Sequence, residues 1–127
     1  MTLYLIRGLP GTGKSTMAER MASEHNGLHF EADTYFVQPD GTYKFDANKL
    51  PLAHAACLDD VQTAMSARAE CIIVSNTFSR QWELAPYRSL AERHGYNVQE
   101  ITLHHIHGNA HGVPEHTIQK MRERWEE

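Results

Sequence analysis

The stretch GLPGTGKS, from Gly8 to Ser15, follows the apolar segment LYLI and decides how the whole chain is interpreted. Glycine has no side chain to bury and loses more conformational entropy on ordering than any other residue. A loop with three glycines is therefore costly to order unless another group compensates for that loss. The stretch also has the spacing GxxxxGK[ST], in which Gly8, Gly13, Lys14 and Ser15 occupy the fixed positions.

The sequence around this motif predicts a phosphate-binding loop. Residues 2–7 are β-branched and apolar enough for a buried strand, and residues 14–25 have apolar side chains at helical spacing. In such a loop the backbone N–H groups and the positive end of the helix dipole converge on one point. We therefore predict an ATP site, with Lys14 at the β and γ phosphates and Ser15 as a ligand of Mg²⁺. The predicted nucleotide-binding residues are Gly8, Pro10, Gly11, Thr12, Gly13, Lys14, Ser15 and Thr16.

Strand and helix patterns alternate along the rest of the chain. Further strands are predicted at residues 28–31, 70–77 and 97–103. Further helices are predicted at residues 46–68, at 82–94 with Gly95 as the C-terminal cap, and at about 114–125. This alternation predicts an α/β fold with three layers and a mainly parallel sheet of four or five strands. Together with the GxxxxGK[ST] motif, it predicts a three-layer P-loop NTPase/kinase domain.

Length and composition narrow the class of protein. The 127 residues fit a single domain, 1–127, with a short lid at about 104–113. Twelve Lys and Arg residues against sixteen Asp and Glu residues give a net charge of −4, so any nucleic-acid contact requires a local basic cluster. Cys57 and Cys71 lack CxxC spacing, which is typical of reduced thiols in a cytoplasmic protein. No segment approaches the roughly 20 apolar residues of a membrane-spanning helix, and we expect no membrane partner.

Four segments carry a resemblance to a known family. They are LYLIRGLPGTGKST, DGTYKF, SNTF and NAHGVPEHTIQKMRERWE, and the likeness extends over nearly the whole chain. In these segments the chain resembles the small P-loop kinases of the polynucleotide-kinase-like family, which includes phage nucleic-acid kinases. The resemblance implies phosphorylation of a DNA acceptor, at a 5′-hydroxyl end or at 5-hydroxymethyluracil. It would also place a phage-encoded protein in the host cytoplasm.

The resemblance implies that Asp33, in the segment FEAD, is the general base that acts on the acceptor hydroxyl. The residues independently favour this role, because a carboxylate at the carboxyl end of a strand faces the crevice in which ligands bind. As an alternative, Asp33 is the N-cap of a short helix beginning at TYF. We expect Glu31 to alternate to the other face, away from catalysis.

The sequence departs from the family pattern at two positions. Asn76 stands where relatives have a carboxylate, so it either replaces a Walker B acid or caps the turn that follows the strand. Gly108 stands where relatives carry a lid arginine, so Arg122, Arg124 or the histidines are expected to neutralise the transferred phosphoryl group. Because Arg122 and Arg124 are two residues apart on a helix, we expect at most one to point inward. Arg80 either contacts the acceptor or is solvated.

Histidines and aromatic residues leave further alternatives open. The histidine cluster could bind a transition metal, contact phosphate or nucleic acid, or form a polar loop. It comprises His104, His105, His107, His111 and His116. Aromatic residues flank the turn after Asp33 and could stack on an acceptor base, although burial in the core is favoured for them. They are Tyr35, Phe36, Tyr43 and Phe45, and the same preference applies to Trp82 and Trp125.

The leading prediction is therefore an ATP-dependent, Mg²⁺-requiring kinase whose acceptor is a hydroxyl on nucleic acid. A kinase for a small molecule, such as a nucleoside or a sugar, is the first alternative. A nucleotide-binding adaptor without catalysis is the second. The three stay open because the fold and the loop motif predict the phosphate donor but not the acceptor.

Overall fold

A computed structural model of the chain describes residues 1–105 and 113–127. Its strands are β1 (Thr2–Gly8), β2 (Leu28–Phe30), β3 (Cys71–Asn76) and β4 (Asn97–Leu103). They form one sheet in the order β2-β3-β1-β4, and every neighbouring pair is parallel. The predicted α/β fold with a mainly parallel sheet of four or five strands is thus confirmed, and the sheet has four strands. His107, Gly108, His111 and most of the predicted lid lie outside the described residues.

The helices follow the predicted alternation. They are α1 (Lys14–His25), α2 (Leu50–Ser66), α3 (Gln81–His94) and α4 (Glu115–Glu123), with 3₁₀ turns at Ala32–Phe36 and Ala47–Lys49. The helix predicted from residue 46 begins later, because the Asp46 side chain accepts a hydrogen bond from the Asn48 N–H and closes a 3₁₀ turn first. Gly95 ends α3 in the left-handed conformation, with φ of 76°, as predicted. Across residues 1–105 and 113–127, no helix is long and apolar enough to cross a membrane.

The core has one part on each face of the sheet, which produces the three layers. Alternate residues of a strand point to opposite faces, so Leu3 and Leu5 pack toward α2 and α3 while Ile6 packs toward α1. Strand β3 divides in the same way between Ile72 and Ile73, and all five side chains are fully buried. Because both faces of the central strands are covered, β1 and β3 are continuous apolar segments rather than alternating ones.

The strand register brings the functional segments to one edge of the sheet. Arg7 pairs with Asn76, Gly8 pairs with Leu103, and Phe30 pairs with Val74. The carboxyl ends of all four strands therefore lie together, and the residues that follow each strand face a common crevice. In an open parallel α/β sheet, ligands bind at this edge.

Candidate functional site

The loop between β1 and α1 is held in a compact conformation by its own backbone. Gly11 and Gly13 both have φ of 85°, a region that side-chain-bearing residues rarely adopt. The Thr12 hydroxyl is buried and donates to the Leu9 carbonyl over 2.8 Å. At Gly8 a Cβ atom would lie 2.5 Å from the Thr12 Oγ1 atom and 2.9 Å from the Leu103 carbonyl oxygen. The first glycine of the motif is thus required by close packing against β4 and against the loop.

Lys14 begins α1 at the mouth of this loop. Its Nζ atom donates to the Leu9 carbonyl over 3.2 Å. Burial lowers the pKa of Lys14 from 10.5 to about 8, and the charges of Asp33 and then Glu31 oppose that decrease. A phosphate chain bound in the loop would favour the charged form again, because opposite charges stabilise an ammonium group.

Glu31 lies at the loop, contrary to the expectation that it would face away. The Ser15 hydroxyl donates to the Glu31 Oε2 atom over 2.7 Å, and the buried Ser75 hydroxyl donates to the same atom over 3.1 Å. The expectation failed because β2 ends at Phe30, so strand alternation no longer governs the residue after it. Carboxylate and hydroxyl oxygens are the ligands that Mg²⁺ prefers, and Ser15 with Glu31 fits that ion chemically. Thr16, the last predicted loop residue, is exposed.

Asp33 is in the 3₁₀ turn Ala32–Phe36 rather than at its N-cap. Glu31 occupies the N-cap position, so the capping alternative for Asp33 is wrong. The Tyr43 hydroxyl donates to the Asp33 Oδ1 atom over 3.1 Å. Burial, with added contributions from Asp33 and Glu31, raises the pKa of Tyr43 to about 12, which keeps this hydroxyl protonated as a donor. Among the charges that raise the Lys14 pKa against the effect of burial, that of Asp33 is the largest.

Asn76 is a buried connection between β3 and the turn that carries Asp33. Its Oδ1 atom accepts the Ala32 N–H over 2.8 Å, and its Nδ2 atom lies 3.8 Å from the Cys57 sulfur. The side chain therefore does not cap the turn after β3, which was one of the two alternatives. It holds the 3₁₀ turn against the end of β3. Cys57 and Cys71 are free thiols, and burial raises the pKa of each.

The two arginines predicted to act on phosphate, Arg122 and Arg124, and the one predicted to contact the acceptor, Arg80, lie at different places. Arg122 is exposed and lines a cavity of about 150 Å³ together with Leu9 of the phosphate loop. The Arg124 Nε atom donates to the Ser79 hydroxyl over 3.3 Å, so this side chain contacts the segment between β3 and α3. Arg80 precedes α3, where its backbone N–H donates to the Glu83 carboxylate over 3.1 Å. Arg122, rather than Arg124, lies beside the phosphate loop.

Arg7 is a buried residue that the sequence analysis did not single out. Its guanidinium donates to the Phe78 carbonyl over 3.1 and 2.8 Å, and also to the Glu126 carbonyl. The same group stacks on the Trp125 ring at 4.4 Å from the ring centre. The Glu126 N–H in turn donates to the Ser79 carbonyl over 2.6 Å. Arg7 thereby joins the residues after α4 to the phosphate-loop side of the sheet. In the sequence, the signal for a functional or structural role of Arg7 was a charged residue at the end of an apolar strand.

The aromatic residues after Asp33 form a cluster around one buried ring. Phe36 is in the core, as favoured, and its ring centre lies 5.6 Å from that of Tyr35, 6.2 Å from that of Tyr43 and 5.1 Å from that of Phe45. The expectation of burial is wrong for the three outer rings, which are 40 to 52% exposed. They cover Phe36 and leave their other faces in solvent. Trp82 is also exposed, whereas Trp125 is partly covered by Arg7.

The histidines do not form a metal site among the described residues. His104, His105 and His116 are exposed, and no group of three metal-ligating side chains occurs in residues 1–105 and 113–127. His104 lines the same cavity as Arg122 and Leu9. Because His107 and His111 lie outside the described residues, metal binding, phosphate contact and a polar loop all stay predictions for the cluster as a whole.

Comparison with known proteins places the chain among P-loop proteins. The family described as AAA domain (AAA_33) matches residues 3–107. NEDD4-binding protein 2 of Homo sapiens is 31% identical over 99% of this chain, which spans only 8% of that protein. An uncharacterized protein of Pasteurella multocida strain Pm70 is 26% identical over 94% of this chain and 74% of its own length.

Solved structures share the fold at lower identity. A gluconokinase from Sinorhizobium meliloti 1021 superposes with a TM-score of 0.64 at 20% identity, covering 99% of this chain and 75% of the gluconokinase. Kti12 of Chaetomium thermophilum, in complex with ADP-AlF3, has a TM-score of 0.69 at 13% identity, covering 98% of this chain and 80% of Kti12. At these identities the likeness shows a P-loop kinase-like fold, and one of the two structures holds a nucleotide.

Proposed function

This chain belongs to the AAA domain family AAA_33, and we propose that it is an ATP-dependent kinase acting on a hydroxyl of nucleic acid. The favoured acceptors are 5-hydroxymethyluracil in DNA and a 5′-hydroxyl end. One observation carries the proposal: the sheet register brings the phosphate loop that follows β1 and the turn with Asp33 that follows β2 to the same edge of the sheet. A base beside the donor phosphates is what transfer to an alcohol requires.

The donor half of the reaction uses the loop between β1 and α1. Its N–H groups and Lys14 would hold the phosphates of ATP, and Ser15 and Glu31 would hold Mg²⁺. Held there, Mg²⁺ would supply positive charge that offsets the negative charge developing on the transferred phosphoryl group. Arg122 lies beside Leu9 and would supply positive charge from α4.

The acceptor half uses Asp33. Its carboxylate takes the proton of the acceptor hydroxyl as the hydroxyl oxygen forms a bond to the γ-phosphorus atom. The bond from that phosphorus to the bridging oxygen of ADP breaks in the same displacement, and ADP leaves with the bonding electron pair. The Tyr43 hydroxyl, which donates to Asp33, orients the carboxylate for this step.

Exposed aromatic rings support a nucleic-acid acceptor. Tyr43 contacts Asp33 directly, and Tyr35 and Phe45 lie around the same buried ring of Phe36. Stacking of bases on aromatic side chains holds single-stranded nucleic acid with little sequence preference. A hydroxymethyl group within a duplex would reach Asp33 after its base is extruded, at a cost of about a few kcal/mol.

The charge of the chain favours a second candidate, a small-molecule acceptor. The net charge is −4, and carboxylates of Glu31 and Asp33 face the crevice, which a polyanion would approach against repulsion. A neutral nucleoside or sugar would not meet that barrier. The experiment below separates the two candidates and also detects a nucleotide-binding adaptor.

The test is transfer of labelled γ-phosphate from ATP with Mg²⁺ to matched DNA strands. The strands carry a free 5′-hydroxyl, a blocked 5′ end, or a blocked end with internal 5-hydroxymethyluracil. We expect label on the strand with the free 5′-hydroxyl or on the blocked strand with 5-hydroxymethyluracil. The label should be lost in Asp33→Asn and kept in the exposed control Asp59→Asn. Label on nucleosides or sugars alone would replace the proposal with the second candidate. ATP binding without transfer to any acceptor would indicate the adaptor.

A further inference from the structure

Glu31 is held by two hydroxyl groups that come from different elements. Ser15 donates from the phosphate loop over 2.7 Å, and Ser75 donates from the carboxyl end of β3 over 3.1 Å. The His29 Nε2 atom lies 2.6 Å from the Ser75 Oγ atom. Because a hydroxyl has one proton and Ser75 gives it to Glu31, His29 must be the donor in that pair. The chain of donors runs from His29 through Ser75 to the Glu31 carboxylate.

The sheet register places this carboxylate where β3 itself lacks one. In P-loop NTPases the metal is held by the loop Ser or Thr together with an acid on a neighbouring strand. Here β3 ends in Ser75 and Asn76, and Asn76 is occupied by the Ala32 N–H. Since Phe30 pairs with Val74, the next residue of the chain, Glu31, is level with Ser75. Glu31, which follows β2, therefore lies beside the end of β3, where other P-loop proteins carry the acid.

Among residues 1–105 and 113–127, no Lys or Arg side chain forms an ion pair with the partly buried Glu31 carboxylate. Its side chain is 23% exposed, and within the described ranges its one ion-pair contact is His29, at 3.6 Å. A carboxylate in such surroundings favours a nearby cation, because two neutral hydroxyl donors stabilise its charge without cancelling it. The Ser15 hydroxyl, the motif's own metal ligand, already touches its oxygen.

We propose that Glu31 organises the Mg²⁺ ion of the nucleotide site and takes the part that an acid on β3 plays in other P-loop proteins. The proposal rests on the proposed function for the presence of a nucleotide with Mg²⁺, but not on transfer to any acceptor. Ser75 and His29 position the carboxylate. Asp33 then keeps a separate task at the acceptor.

The test measures how strongly Mg²⁺ tightens ADP binding, by titration calorimetry at a series of Mg²⁺ concentrations. Glu31→Gln keeps the shape and one acceptor oxygen, while Glu19→Gln, on the exposed side of α1, is the matched control. We expect Glu31→Gln to need at least tenfold more Mg²⁺ for the same tightening, with Mg²⁺-free ADP affinity unchanged or higher. Glu19→Gln should match the wild type.

Three results would overturn the proposal. They are an unchanged Mg²⁺ requirement in Glu31→Gln, an equal loss of ADP affinity with and without Mg²⁺, and a wild-type chain whose ADP binding ignores Mg²⁺. If Glu31→Gln does not fold, Glu31→Asp is measured instead, and the same Mg²⁺ criterion applies to it. Failure of phosphate transfer to every acceptor would sink the proposed function alone, since ADP binding still reports on Glu31.

Discussion

Nucleotide binding should be coupled to proton uptake by Lys14. Burial lowers the pKa of this side chain to about 8 in the free protein, even though Asp33 and Glu31 oppose the decrease. Phosphates bound in the loop favour the charged ammonium, so the bound state holds the proton to much higher pH. Well below pH 8 Lys14 is charged in both states, so its titration does not affect the affinity there. Above pH 8 the free protein has lost a proton that binding must restore.

The size of the effect follows from that pKa. If the bound lysine stays charged, its titration weakens ADP affinity by about twofold at pH 8 and about tenfold at pH 9, relative to neutral pH. At pH 8.5 about three quarters of the free molecules carry neutral Lys14, so binding takes up about three quarters of a proton. Phosphate groups titrate near pH 6 and do not contribute in this range.

Calorimetry in two buffers of different ionisation enthalpy measures the proton uptake directly. Lys14→Met has no ammonium group to titrate, so its residual uptake gives the contribution of other groups such as the N-terminal amine. The wild type should exceed this variant by about three quarters of a proton at pH 8.5 and by little at pH 7. Equal proton uptake in the two proteins at pH 8.5 would refute the assignment of a lowered pKa to Lys14.

Three substitutions test the packing that supports the site. Arg7→Met leaves the Phe78 and Glu126 carbonyls without their donor, so the free energy of unfolding in urea should fall by about 2–4 kcal/mol. An unchanged free energy of unfolding would show that the buried guanidinium does not stabilise the fold. Gly8→Ala adds a Cβ atom 2.9 Å from the Leu103 carbonyl oxygen of β4, so it should lower the free energy of unfolding by about 1–3 kcal/mol and weaken ADP binding. A melting temperature equal to that of the wild type would contradict this. Asn76→Ala leaves the Ala32 N–H unpaired, so the free energy of unfolding should fall by about 1–3 kcal/mol and amide hydrogen exchange at Ala32 should become faster. Exchange at the wild-type rate would show that another group replaces the acceptor.

Local features of the chain were read correctly because their causes lie within a few residues. The glycine loop, the start of α1 at Lys14 and the end of α3 at Gly95 depend on nearby backbone conformation. The parallel sheet could be predicted because continuous apolar strands alternate with helices in the sequence. Such strands must be covered on both faces, and the helices cover them. Each of these patterns acts over one element or one turn and is visible in the sequence.

Contacts between distant segments were decided only by the tertiary structure. Glu31 meets Ser75 because the register of β2 on β3 sets their level, and Arg7 meets Glu126 across 119 positions of the chain. The exposure of Tyr35 and Tyr43 depends on which residues cover Phe36 in the folded chain. The local sequence does not indicate those residues. The sequence by itself determined the fold class and the phosphate loop, since both follow from short-range periodicity and backbone freedom. Which carboxylate faces which hydroxyl depended on strand register and packing, which are properties of the folded chain as a whole.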